Sequence, residues 1–223
     1  MMRLRATHCP PGRPTARDRI PPLVRRLVII GEDSRFRTHR GIDFVELAEA
    51  LTERRSRRRG ASTITQQLAK NLYLSPSRSP LRKLKEAVTA VRLELALSKD
   101  RIRDLYLNIA EWGPGIWGVA AASEAYFGVP PPRLTETQAA ALVATLPHPR
   151  TSTPTFQPAR MLARRDLILA HYHGADVQIP PVLEELELDS LPAIPPVEVP
   201  IMPLMIDTLM DSVRVRVDSG QES

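Results

Sequence analysis

Residues 79–109 read SPLRKLKEAVTAVRLELALSKDRIRDLYLNI, and two helix starts are written into them. Ser79 is a natural N-cap and Pro80 a natural first helical residue, because the N–H that proline lacks is one a helix leaves unbonded anyway. The pattern predicts a helix from there to Leu97, and Ser98 caps another, predicted through about Ile109. Downstream, residues 116–127 read as helical and stop at Gly128. Thr135 and Gln138 have capping-box spacing for a helix that ends before Pro147. Upstream, a helix is predicted from Leu23 to about His39 with Gly41 as its stop, and another behind Asp43 and Glu46 to roughly Thr52. A further helical pattern follows Gln67 and carries to about Leu72. Ala, Leu, Arg and Glu dominate this region, so the fold class is mainly α.

The ends differ from the middle. Residues 1–22, rich in Pro and Arg, read as an irregular segment, residues 23–173 as one domain, and residues 174–223 as a Pro-rich acidic extension. Seven prolines between Pro180 and Pro203 exclude a long helix there. The formal charge is +6, but from Ala175 onward ten acidic residues face only Arg214 and Arg216, which leaves +14 on the rest. A basic body attracts nucleic acid, an anionic membrane or a phosphate-bearing substrate, and charge alone does not choose among them. Cys9 is the sole cysteine, which excludes an internal disulfide. No run of 18 apolar residues and no signal-peptide pattern occur, so neither an anchor nor a leader is expected in this chain.

Several polar residues stand out as chemistry. Glu32 follows the apolar run Leu27-Val28-Ile29-Ile30-Gly31 and precedes Asp33, a setting that can raise a carboxyl pKa for proton transfer. Its plain alternative is a surface glutamate. Glu86 shares a helix face with Arg82 and Lys83, as an ordinary ion-paired residue also would. Lys70 and Arg78 flank the turn into that helix, as a phosphate clamp or as part of a basic loop. Ser62-Thr63-Ile64-Thr65-Gln66-Gln67 puts five hydrogen-bonding side chains in six positions, a poor way to build a core, and reads as a site for hydroxyls and phosphates or as a plain polar loop. Arg54, Arg55, Arg57, Arg58 and Arg59 read as a solvated, mobile basic loop.

Four motifs in order resemble the peptidoglycan glycosyltransferases, glycosyltransferase family 51. Residues 32–41, EDSRFRTHRG, are similar to E-D-x-x-F-x-x-H-x-G; residues 60–71, GASTITQQLAKN, to G-x-S-T-I-[TS]-Q-Q-x-x-K-N; residues 82–86, RKLKE, to R-K-x-x-E; and residues 99–108 to K-x-x-I-L-E-x-Y-L-N. Residues 108–116 and Tyr126-Phe127-Gly128 look most like the monofunctional biosynthetic transglycosylase branch. The resemblance covers residues 24 to 150. The fourth motif departs from it: Ile102-Arg103-Asp104 shortens the carboxylate and puts arginine where leucine is usual. Family members also normally carry an N-terminal membrane anchor.

The resemblance implies a lysozyme-like helical domain with a cleft between two lobes, at the periplasmic face of the bacterial inner membrane. It implies polymerisation of lipid II onto a lipid-linked glycan by inverting displacement, with undecaprenyl pyrophosphate as leaving group. Glu32 and Glu86 would be the catalytic acids, Glu32 as general base. Asp33, Phe36, His39, Ser62, Thr63, Gln66, Gln67, Lys70, Asn71, Arg78, Arg82 and Lys83 would bind substrate. A divalent cation, Mg or Mn, is allowed at the pyrophosphate without a dedicated ligand cluster. Lipid II, the growing glycan, an anionic membrane surface and cell-wall synthesis proteins are the implied partners. A glycan hydrolase would have little use for four cations around Lys70 and Arg82. A non-catalytic scaffold would not need Glu32 and Glu86. Nucleic acid is not expected, because no zinc spacing or aromatic platform accompanies the charge. The absence of S-x-x-K with K-T-G predicts no transpeptidase activity.

Overall fold

The computed structural model describes residues 19–52, 62–73 and 80–179. Cys9, the arginine run at 54–59, Arg78, the Ser79 cap and the extension from residue 180 lie outside the described residues. Within them are eight α-helices: α1 Pro22–Glu32, α2 Phe44–Thr52, α3 Ile64–Tyr73, α4 Pro80–Ala96, α5 Lys99–Ile109, α6 Val119–Phe127, α7 Glu136–Thr145 and α8 Ala159–Tyr172. One short antiparallel pair, β1 Glu111–Gly113 and β2 Ile116–Trp117, and a 3-10 turn at Pro131–Arg133 complete the described elements. The domain is helical, as its sequence implies.

Helix α7 is the hub. It is apolar on every side, with Ala139, Ala140, Leu142 and Val143 fully buried, the pattern of a helix enclosed by others. Its alanines let α1 and α8 pack closely, through Val24, Leu27 and Val28 on one and Met161 and Ile168 on the other. A second layer places α3 against both α4 and α5, with Ile64, Leu68, Ala90, Ile102 and Tyr106 buried.

Side-chain caps set the starts of several helices. Ser98 accepts from the Arg101 N–H, and Thr135 with Gln138 closes a full capping box. The Asp43 carboxylate accepts from the N–H groups of Val45 and Glu46 at the start of α2.

Three boundaries differ from the sequence expectation. The helix predicted to reach His39 stops at Glu32, because Asp33 leaves helical geometry (φ −163°, ψ 76°) and spends its carboxylate on distant partners. The following loop turns through Asp33 C=O to Phe36 N–H and Arg35 C=O to Thr38 N–H. Helix α3 begins earlier than expected, at Ile64. Ile116 and Trp117 are strand, and the helix expected from residue 116 begins at Val119. Helix α8 was not anticipated at all. The arginine in the fourth motif is accommodated by charge pairing: buried Arg103 meets Asp104 and Asp100 at 3.0 Å each, and Arg25 reaches the same Asp104 at 3.3 Å.

Candidate active site

Glu32 is the last residue of α1, where helical carbonyls go unbonded and the helix dipole disfavours an anion. Its side chain is only 2% exposed. Burial pushes its carboxyl above the usual glutamate value, aided by neighbouring Asp33 and opposed by Arg164 and Gln67. Gln67 of α3 donates to Glu32 Oε2 at 3.2 Å, and Arg164 of α8 lies 3.4 Å from Oε1. Arg164 also donates to the Gly31 carbonyl. The Tyr106 hydroxyl of α5 donates to Gln67 Oε1 at 2.8 Å. Burial, reinforced by Glu32, holds the Tyr106 phenol well above its ordinary value, so it remains a donor. The result is an enclosed carboxyl held from α3 and α8, with α5 acting through Gln67.

Asp33 and the polar block around Thr63 do a different job. Asp33 accepts from His39 Nε2 at 3.0 Å and from the Ile64 N–H at 3.0 Å, which ties the end of α1 to the start of α3. Thr63 caps α3. Its Oγ1 accepts from the Gln66 N–H while Gln66 Oε1 accepts from the Thr63 N–H, a capping box, and the hydroxyl donates onward to the Gly41 carbonyl at 2.7 Å. Gly41 has φ +89°, and a Cβ there would sit about 3.0 Å from the Ala90 backbone, so glycine brings the loop against α4. These donors at the start of α3 are bonded within the protein.

Glu86 on α4 is buried and clasped by two cations of its own helix, Arg82 at 3.0 Å and Lys83 at 2.7 Å. Lys83 also donates to Ser62 Oγ at 2.8 Å while remaining partly exposed. Helix α3 therefore carries Gln67 toward Glu32, while Ser62 just ahead of its cap touches the Glu86 cluster.

The remaining sequence candidates divide by exposure. Phe36 is fully buried, with Lys99 Nζ 4.4 Å over its ring and His39 edge-on, so it packs the loop from within the core. Lys70 and Asn71 are exposed on α3. Arg164 and Tyr106 were missed. Tyr106 is the tyrosine of the fourth motif and Arg164 begins the Arg164-Arg165-Asp166 run, but each reaches Glu32 or its partner only through folding. Thr63 and Gln66 did have a sequence signal, the three-residue spacing of a capping box, beneath the reading as substrate contacts.

A family model described as Transglycosylase matches residues 10–173, well over half of the chain. The chain belongs to the transglycosylase family. It is similar to proteins named biosynthetic peptidoglycan transglycosylase. One from an Azoarcus species is 45% identical over 69% of this chain and 68% of the relative. One from a Marinomonas species is 49% identical over 61% and 62%, and one from a Janthinobacterium species 42% identical over 71% and 70%. The chain thus spans about two thirds of these relatives' length. The match agrees with the resemblance to the biosynthetic transglycosylases of glycosyltransferase family 51.

Proposed function

We propose that this transglycosylase polymerises lipid II into β-1,4-linked glycan with Glu32 as the general base. The observation that carries the reading is the enclosure of Glu32: a carboxyl raised by burial yet faced by a cation and an amide N–H is suited to take up a proton. Glu32 removes the proton of the acceptor sugar hydroxyl as that oxygen attacks the donor's anomeric carbon. The pyrophosphate leaves with the bonding electrons, and its developing charge calls for fixed cations. Lys83 and Arg82, held by buried Glu86, are preorganised for that role, with Lys83 the more exposed of the two. Lys70 on α3 and Arg78 complete the proposed cationic set. Among the described residues no three His, Cys, Asp or Glu groups converge on a metal position. A divalent ion at the pyrophosphate would then be held by phosphate oxygens and water.

Action at an anionic membrane surface is part of the proposal. Leu81, Leu84, Val88, Val91 and Leu95 form an exposed apolar stripe along α4, and Phe44, Val45 and Leu47 are exposed on α2. An apolar cavity of about 330 Å³ lies between Ile42 and α4. Exposed apolar area of this extent supports a surface that meets lipid. No helix among the described residues is long and apolar enough to cross a membrane.

The test is to offer the chain labelled lipid II in detergent and, separately, finished peptidoglycan. Glycan polymer from the first and no soluble fragments from the second support the proposal. Fragments from the second alone would make it a hydrolase.

A further inference from the structure

We propose that Arg164 is a positioning residue for the reaction, bridging the Glu32 carboxylate to the last-turn carbonyl of α1 and so holding that carboxylate ionised and aimed. The inference rests on the reading of Glu32 as the base. Three observations converge on it. Arg164 arrives from α8, 132 residues away in sequence, and places one guanidinium nitrogen against both Gly31 C=O and Glu32 Oε1. Its side chain is largely buried, at 11% exposure, so it is not a surface cation that happens to lie nearby. Gly31 itself is closely packed: a Cβ there would meet Val143 at 2.9 Å and Ile168 at 3.1 Å, which seats the end of α1 directly on α7 and α8.

The chemistry explains why such a group is needed. A carboxylate at a helix C-terminus faces the negative end of the dipole, and here Asp33 follows immediately. Around Glu32 the groups that bear on its charge are Asp33 along the chain, Gln67 from α3 and Arg164 from α8, with Tyr106 of α5 acting through Gln67; α7 meets this turn with apolar Val143. Arg164 is the cation of that set. By donating to the Gly31 carbonyl as well, it also satisfies an acceptor that the end of α1 leaves open.

The experiment follows the Glu32 carboxyl directly, by ¹³C shift in glutamate-labelled full chain, with the resonance assigned by its loss in Glu32→Gln. In Arg164→Gln the titration is expected to move up by about one unit or more, the usual reach of a close opposite charge. The acidic limb of kcat/KM should move with it, giving about a tenfold loss per unit on the limb and recovery above it. Arg164→Lys keeps the charge without the fork. It should leave the titration near that of the parent and lower kcat at every pH. An unmoved titration in folded Arg164→Gln would overturn the proposal. Should that variant fail to fold, an Arg164→Lys chain with parental kcat at all pH values overturns it instead. A moved titration with an unmoved rate profile would leave the hold of Arg164 on Glu32 in place and remove Glu32 as the base.

Discussion

The Tyr106 hydroxyl donates to Gln67 Oε1 at 2.8 Å, and that bond decides which end of the Gln67 amide faces Glu32. With the oxygen committed to Tyr106, the amide nitrogen is left to donate to Glu32 Oε2 at 3.2 Å. A phenol whose ionisation is suppressed by burial is a dependable donor for this purpose.

Tyr106→Phe should therefore act at a distance from substrate. It removes the donor and leaves Gln67 Oε1 with an unmet acceptor, at about 1–3 kcal/mol for a buried group. Thermal unfolding should report that loss. Lipid II polymerisation should fall mainly in kcat, since the aim of Glu32 loosens while the cationic set on α4 is untouched. A change confined to KM would contradict this.

Gly31→Ala tests the seating of α1. The added methyl would meet the side chains of Val143 at 2.9 Å and Ile168 at 3.1 Å, both fully buried. Overpacking of this kind costs about 1–3 kcal/mol. The shift also carries Glu32 away from Arg164, so activity should fall further than the stability loss explains. Pairing Gly31→Ala with Val143→Ala should restore part of both, measured by melting and by glycan yield.

Thr63→Ala removes the α3 cap and the bond to the Gly41 carbonyl together. Loss of a cap costs about 1–2 kcal/mol. Thr63→Ser keeps both bonds and should retain parental stability. Equal stability losses from the two substitutions would show that the Thr63 methyl, rather than its hydroxyl, secures the start of α3.

Stability should carry the mark of Glu32 in a defined direction. Its folded carboxyl is raised above the ordinary value of 4.5, chiefly by burial. The associated stability is fully present below the unfolded value and is lost as pH rises through the folded one. Glu32→Gln removes that loss, so the variant should melt higher than the parent at neutral pH, with the gain shrinking as pH falls below the glutamate range. A gain that grew on acidification would have the wrong sign.

Much of this was legible along the chain, for physical reasons that vary by element. Ser98, Asp43 and the Thr135–Gln138 pair announce their helices because a cap is a local bond between near neighbours. The cluster of Glu86 with Arg82 and Lys83 was legible because helical spacing alone brings those residues together. The early stop of α1 was not, since Asp33 breaks the helix to serve His39 and Ile64, and the Ile64 N–H lies 31 residues on. Arg164 was hidden for the same reason: its partners are 132 and 133 residues away. The Thr63 block was read as substrate chemistry, whereas two of its members close a cap and Gln67 turns inward to Glu32.

The most direct measurement is polymerisation of labelled lipid II by the parent chain and by Glu32→Gln, both checked as folded. Long glycan is expected from the parent and a fall of about 10²–10⁴-fold in rate for the variant, the usual contribution of a general base. A folded Glu32→Gln chain that polymerised within a few-fold of the parent would contradict it.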